Sequence, residues 1–512
     1  MSKLYLGIDS STQGVKAEVI DIISGEIVGS FAINFGKDLP EYKSPDGYLL
    51  QDDPLVRHSD PMMWVDALEL LFKRMQEAKF PNNEILGISG SGQQHGSVYL
   101  KAFPTFLNPE KSLAEQWKPY LSRKTAPIWM DKSTSEVCAD LTKQFGEEIR
   151  LTTGSPAIER FTGPQIAKFA KEDPQAWQNT NCVHLVSSFL CSVLAGASMP
   201  LDYGDGAGMN LLDLHQLTWH QRLVAATAPS LWQKLPKVVP STQIVGKLHP
   251  YFEKYGFKSG IPLVVWSGDN PNSLIGVGCG TPGTAVISLG TSDTFFAAMQ
   301  DFITDPEGYG HVFGNPQGGF MSLICFTNGS LAREKVKELV DVDWHYFDVT
   351  ACESTEPGNH GMLMLPYFEP ENTPLVRESG VVYNQQAEKP LAAEHIRCIL
   401  ESQALTMKLH SAWQGQNFKR IRVTGGASKS AAILRIFADV FQAKIETIAV
   451  RNSAGLGAAI RAANAIEGIS FESLYEQFCT TVNEVTPRPE FANVYDQMLK
   501  DYKALEKSAL SK

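Results

Sequence analysis

The opening segment, LYLGIDSSTQGVKAEVIDIISGEIVGSFAINF, alternates β-rich apolar runs with glycine-containing turns. That pattern predicts consecutive antiparallel strands, a β-meander, in place of a helix. A polar, proline-containing stretch from Asp38 to Pro61 follows. The run MMWVDALELLFKRMQEA then spaces its apolar residues as a helix does, and EILGISGSGQQHGSVYL returns to strand. Further along, PLVVWSGDN and GTAVISLGTSDTFFAAM start a second strand-rich region. LGIDSSTQGVKAEVI and ISLGTSDTFFAAM share one order: strand, small hydroxylated turn, strand. The chain therefore reads as an internal structural duplication, not a short-period solenoid. The rest of the C-terminal part reads as helices around KRIRVTGGASKSAAILRIFADVF and SAGLGAAIRAANAI. A polar, proline-rich excursion from Glu356 to Pro390 precedes them and predicts loop and lid-like elements.

This mixture places the chain in the α/β or α+β class. A length of 512 residues exceeds what one hydrophobic core usually spans, so two domains, or three, with a cleft between them are expected. The second strand-rich start puts the junction near Gly260 to Asn270, dividing the chain into 1–267 and 268–512.

Composition mainly excludes partners. Subtracting 56 Asp and Glu from 45 Lys and Arg gives a net charge of −11. No run of basic residues forms a phosphate-tracking stripe, which argues against nucleic acid. Hydrophobic residues at 43% and charged residues at 20% are ordinary for a soluble globular protein. The eight cysteines (138, 182, 191, 279, 325, 352, 398 and 479) are scattered without a CxxC pair, so reduced, mostly buried thiols are expected. The chain opens straight into a strand pattern, and stretches such as IPLVVW and VHLVSSFLCSVLAGA are too short or interrupted for a bilayer span. The expectation is a cytoplasmic protein without a membrane partner.

Several turns carry candidate chemistry. Asp9-Ser10-Ser11-Thr12-Gln13-Gly14-Val15-Lys16 supplies hydroxyl donors, accessible backbone and a cation, the needs of a bound polyphosphate; the alternative is a hairpin turn satisfying its own backbone. A carboxylate such as Asp9 helps toward phosphate only through a bridging magnesium ion. Gly290, Thr291 and Ser292 form a second turn of the same makeup. Val423-Thr424-Gly425-Gly426-Ala427-Ser428-Lys429-Ser430 places glycines between a strand and a helix, where backbone can approach a ligand; it is neither the Rossmann nor the Walker spacing. Asp269 follows a fully apolar strand, where a carboxylate is costly unless it reaches a cleft, a partner or a helix cap. The cluster Gln93-Gln94-His95 after a buried strand is a further candidate, against the plainer reading of a hydrogen-bonded structural histidine.

Taken in order, GSGQQHGSVYL, PIWMDKSTS, ERFTGPQIAK, DYGDGAGMNLLDL, SGDNP, SLGTSDT, CFTNGSLARE and TGGAS resemble the FGGY carbohydrate kinases, within the actin, hexokinase and heat-shock ATPase superfamily. The resemblance runs over nearly the whole chain and is closest to the branch acting on a ketopentose. It implies two ribonuclease-H-like domains, an N-terminal half (1–267) binding sugar and a C-terminal half (268–512) binding ATP, with an interdomain cleft. By this resemblance Asp269 is the catalytic base, and Asp9 holds Mg2+ near the phosphates. Gln94, His95, Arg160, Asp269 and Asn270 contact the sugar. Ser11, Thr12, Lys16, Gly290, Thr291 and Ser292 face the phosphates. Gly425 and Gly426 contact adenosine, Trp344 packs near the base, and Ser430 stands where family members often carry Asn. Sugar and ATP are the implied ligands. A family member acting on another ketose or polyol, and a non-catalytic sugar- or nucleotide-binding regulator on the same fold, are the alternatives.

Overall fold

The computed structural model describes residues 2–384 and 391–511. The opening alternation becomes three antiparallel strands, β1 (Leu4–Ser10), β2 (Gly14–Asp21) and β3 (Glu26–Asn34). Helix α1 (Pro61–Glu77) follows, capped by Asp60 with a proline at its first position, a favoured start because proline's missing N–H is unneeded there. β4 (Ile85–Gly92) then runs parallel to β1. The sheet closes with β5 (Ile244–Lys247), β6 (Pro262–Val264) and β7 (Ser267–Gly268), in the order β5-β6-β4-β1-β2-β3, with β7 also pairing β4.

The second sheet repeats this plan. β8 (Thr284–Leu289), β9 (Asp293–Met299), β10 (His311–Gly314) and β11 (Phe320–Phe326) are joined by β12 (Arg420–Gly425), β13 (Lys444–Ile448) and β14 (Thr481–Val485). The order is β14-β13-β12-β8-β9-β11-β10. In each sheet a central strand (β1 or β8) has an antiparallel hairpin partner on one side and a parallel strand (β4 or β12) on the other. The duplication read from two turns is therefore a duplication of topology. One expectation needs correcting: the C-terminal part is not helices alone. β13 and β14 complete the second sheet, and β14 is a largely exposed edge strand whose sequence, TVNEV, lacks an apolar alternation. The excursion from Glu356 contains a two-stranded ladder, Met364–Leu365 with Val382–Tyr383; its end, 385–390, lies outside the described residues.

Helices α2 (Thr162–Glu172), α3 (Val186–Ala195), α4 (Asp269–Gly276), α5 (Ser330–Leu339), α6 (Ala392–Ser411), α7 (Ala431–Phe441) and α8 (Ser453–Glu467) surround the sheets. Each sheet has its own core, one around Trp64, Leu68 and Phe72, the other around Phe295, Ile399 and Phe437. A third core joins the halves: Phe161, Leu185 and Met209 pack with Val286, Phe296 and Leu323.

Helix α8 brings the second half into backbone contact with the first sheet. It lies against β1 and α4, with Leu456, Ala459 and Ile460 packed on Tyr5, Ile20 and Val264. A Cβ on Gly7 would sit 1.9 Å from the carbonyl oxygen of Gly455, and one on Gly276 would sit 1.8 Å from that of Ser453. Only glycine permits these backbones to touch. Among the described residues no helix is long and apolar enough to cross a membrane.

Candidate active site

Three parallel strand ends build the first half of the site. Asp9 on β1, Ser91 on β4 and Ser267 on β7 stand in one row, so the residues that follow each strand emerge together at its C-terminal end. In open α/β sheets that edge is where ligands bind. It brings together Ser10, Gln93-Gln94-His95 and Asp269-Asn270.

Asp269 is the first residue of α4, and Gly268 is the N-cap, so the helix-cap reading does not hold for Asp269. Its Oδ1 accepts the amide N–H of Gln94 at 3.4 Å, the amide N–H of Asn270 at 3.0 Å and Asn270 Nδ2 at 3.2 Å. Asn270 Nδ2 also donates to Gln94 Oε1 at 2.8 Å. Burial pushes the Asp269 carboxyl up to about 6, although these amides favour its anion. Asp9 is 5% exposed, with Oδ1 buried and unpartnered among the described residues. Burial, then the charge of Asp269, pushes it up to about 7.

His95 has φ +70, a left-handed conformation uncommon for a side-chain-bearing residue. Its carbonyl accepts from Thr162 Oγ1 at 3.0 Å and its Nδ1 lies 2.9 Å from the carbonyl oxygen of Gly208. That carbonyl can only accept, so Nδ1 carries the proton and Nε2 is left as an acceptor. Burial lowers the imidazole to about 3, keeping it neutral. The ring stacks on Phe161 with centroids 4.3 Å apart. Arg160, the next residue back, stands over the same Phe161 ring at 5.6 Å.

The turn after β1 is closed by Ser11 N–H donating to the Gly14 carbonyl at 2.9 Å, and Thr12 Oγ1 accepts from Trp129 Nε1 at 2.9 Å. Lys16 lies on β2 opposite Asp9, not in the turn, and its charge opposes the upward shift of Asp9.

In the second half, Gly290, Thr291 and Ser292 connect β8 to β9, with both hydroxylated residues exposed. The Gly290 carbonyl accepts from Ser330 N–H at 3.0 Å. Asp293, buried just behind the turn, meets Arg333 of α5 in two hydrogen bonds of 2.8 and 3.1 Å. Gly425 at the end of β12 pairs with Leu289, has φ +89, and a Cβ there would lie 2.1 Å from the Leu289 carbonyl oxygen. Gly426 faces open space. The strand ends holding Gly290 and Gly425 are thus adjacent. Ser430 caps α7, its Oγ accepting from Ile433 N–H at 3.4 Å. Trp344 is 45% exposed, edge-on to Phe347 at 5.3 Å, with the Lys337 ammonium 5.5 Å from its ring.

Some partners of these residues escaped the sequence reading. Asp205, in DYGDGAGMNLLDL, is buried, accepts from Ser187 Oγ, and is held well above the usual carboxylate range by burial. His311 lies 3.1 Å from an Arg160 nitrogen. The only sequence signal for Asp205 was its place in a matched segment; His311 had none.

Residues 4–276 match the N-terminal domain of the FGGY family of carbohydrate kinases, and residues 285–466 match its C-terminal domain. The chain belongs to the FGGY family of carbohydrate kinases. This FGGY chain is 37% identical to a xylulose kinase of Rattus norvegicus over 99% of its own length and 97% of that protein. It is 36% identical to xylulose kinase 2 of Arabidopsis thaliana over 90% of its length and 87% of that protein. A crystal structure of a xylulose kinase from Lactobacillus acidophilus superposes with a TM-score of 0.84, covering 100% of this chain and 99% of that one at 19% identity.

Proposed function

We propose that this FGGY kinase transfers the γ-phosphoryl group of ATP to the C5 hydroxyl of D-xylulose, giving D-xylulose 5-phosphate and ADP. The observation that carries the reading is the meeting of Asp9, Gln94, His95 and Asp269 at one edge of three parallel strands. The full-length likeness to xylulose kinases supports the choice of sugar.

In this reading residues 1–267 bind sugar and 268–512 bind the nucleotide across the cleft between them. Asp269 accepts the proton of the attacking hydroxyl. Its Oδ1 is fixed by two amides, so the carboxylate is oriented before substrate arrives, and an upward-shifted base loses less driving force for taking a proton near neutrality. His95 offers an acceptor and Arg160 donors to the sugar hydroxyls. Gln94 Nε2, buried and unpartnered among the described residues, offers another donor, and Asn270 braces Gln94. Ser11, Thr12, Lys16, Gly290, Thr291 and Ser292 line the phosphates; Gly425, Gly426, Ser430 and Trp344 serve the adenosine end. Catalysis is then mainly positioning and charge stabilisation, as phosphoryl transfer requires.

The buried Asp9 Oδ1, which has no partner among the described residues, fits a hydrated Mg2+. Among the described residues no group of three or more His, Cys, Asp or Glu side chains forms a metal cage, which matches an ion held by one carboxylate, water and phosphates. When bound, Mg2+ neutralises charge on the phosphates. Asp9→Asn should raise the magnesium concentration needed for half-maximal rate by roughly tenfold or more; an unchanged magnesium titration removes that role.

The deciding experiment is ATP consumption over a panel of ketoses and polyols with product analysis. D-Xylulose 5-phosphate as the preferred product is the expected result. Preference for another polyol overturns the substrate, and consumption with none of them overturns the activity.

A further inference from the structure

We infer that His311, on strand β10 of the second sheet, belongs to the sugar pocket: its Nε2 positions Arg160, and its Nδ1–H is offered to a sugar oxygen. The inference deepens the proposed function and rests on its placement of Arg160 in the sugar site.

Arg160 and His311 are 151 positions apart and meet at 3.1 Å between a guanidinium nitrogen and Nε2. A guanidinium only donates, so Nε2 is the acceptor and the neutral ring carries its proton on Nδ1. That Nδ1–H is buried and has no partner among the described residues. Buried polar groups are nearly always paired, and an unpaired one calls for an explanation. Burial, then the Arg160 charge, then His95 hold the His311 imidazole well below its ordinary range, so the ring is neutral. Arg160 itself forms no ion pair with a carboxylate among the described residues, which leaves His311 as its side-chain acceptor.

The surrounding rings give the arrangement its purpose. His95 stacks on Phe161, and His311 lies 5.5 Å from the same ring; both histidines are 6.3 Å from Phe313. Two neutral imidazoles of fixed and opposite polarity therefore flank one aromatic wall: His95 presents an acceptor, His311 a donor. A polyol hydroxyl is both donor and acceptor, and matches such a pair.

His311 is also held firmly. Val312 N–H donates to the Gly154 carbonyl at 3.0 Å, tying β10 to the N-terminal half. The preceding turn is fixed by Asp305 Oδ2, which accepts from the N–H groups of Tyr309 and Gly310 at 3.0 and 2.7 Å. The second sheet would thus contribute to sugar recognition as well as to the nucleotide.

The test uses the full chain with His311→Phe, His311→Gln and His311→Asn. Phenylalanine removes both polar atoms; glutamine can keep an acceptor near Nε2 for Arg160; asparagine can keep a donor near Nδ1. Steady-state KM for D-xylulose and for ATP is measured with calorimetric binding of each, and thermal midpoints report folding. His311→Phe should raise KM and Kd for D-xylulose roughly tenfold or more while leaving ATP within about twofold. The Gln and Asn variants should each recover part of that loss. Should His311→Phe not fold, these two keep the comparison intact. Sugar affinity within about twofold of parent in all variants overturns the inference, as does an equal loss of sugar and ATP affinity. If the parent prefers another sugar, the substrate reading fails separately, and the same comparison is run with the sugar it accepts.

Discussion

The turns after β1 and after β8 occupy equivalent places in duplicated sheets, yet their surroundings are in opposite states. Around the first, Asp9 Oδ1, Ser10 Oγ, both polar atoms of the Gln93 side chain, Gln94 Nε2 and Ser267 Oγ are buried without partners among the described residues. Behind the second, Asp293 is matched by Arg333, Arg333 Nη1 also donates to Gln403 Oε1 at 2.9 Å, and Gln403 Nε2 donates to the carbonyls of Asn328 and Gly329. An unmet buried polar group costs about 1–3 kcal/mol. The surroundings of the first turn keep unmet hydrogen-bonding capacity where a ligand can use it; the Asp293–Arg333–Gln403 chain behind the second is paired, and that turn presents exposed hydroxyls and open backbone. A site of the first kind discriminates among ligands by which of its groups they satisfy. One of the second kind holds a shape.

The largest effect should come from the most strained part of the first site. Asp269→Asn keeps shape but cannot take a proton, so turnover should fall by about a hundredfold or more while D-xylulose binding largely survives. The same change should stabilise the protein at high pH. An unfolded Asp titrates near 4 and the folded Asp269 near 6, so the folded state binds more protons between these values, and the parent loses stability as pH rises through that window. At pH 8 the variant should be more stable by about 2–3 kcal/mol, and the difference should vanish at pH 4. Initial rates and urea denaturation at both pH values measure this; near-parent turnover would show that the proton leaves by another route. Below about pH 7 the parent kcat/KM should fall as Asp9 and then Asp269 protonate.

In the second site the expected order is reversed, with stability lost first. Arg333→Met leaves Asp293 buried and unpaired and should cost about 3–5 kcal/mol, read from the urea midpoint. Adding Asp293→Asn should restore much of it; a single variant within about 1 kcal/mol of parent would show the pair to be idle.

The comparison also predicts separable ligand effects. His95→Ala and Arg160→Ala should each weaken D-xylulose binding by about 1–3 kcal/mol and leave ATP nearly unchanged. Equal losses in calorimetric titrations would erase the distinction between the halves. The smallest structural effect belongs to Gly426→Ala. Apart from its local backbone, no atom of the described residues lies within 4 Å of the added Cβ, so stability should change by no more than about 0.5 kcal/mol, and a rise in ATP KM would report a nucleotide contact alone.

The strand framework of the first half was legible in the sequence because it rests on local patterns, whereas the two turns read alike and their contrast did not show. The meander β1 to β3 alternates apolar residues over short hairpins, and Asp9 near the end of one buried strand, His95 just beyond a second and Asp269 directly after a third all stand at strand ends. Their convergence was not legible from residues alone: parallel pairing of β1, β4 and β7 joins segments far apart in the chain, and only the family resemblance anticipated it. β13 and β14 were missed for a different reason. KIETI is short, and β14 is an exposed edge without an apolar face. His311 sits in an unremarkable GHVFG strand, and its meaning arises from a contact made across the whole fold. Ser430 and Trp344 have ordinary structural duties here, a helix cap and an aromatic contact, and their placement on the adenosine side rests on resemblance.

The glycine contacts of α8 bear on how the protein comes into being. A ribosome delivers the chain from its N-terminus, and domains generally fold as they emerge. Here the first sheet stays uncovered on one side until Ser453–Glu467 is made, because Tyr5, Ile20 and Val264 have α8 as their apolar neighbour. A nascent chain of the first 267 residues should therefore be a sticky intermediate, dependent on holding factors. Expressing the two halves as separate polypeptides should yield the first in soluble form only when the second is supplied alongside it.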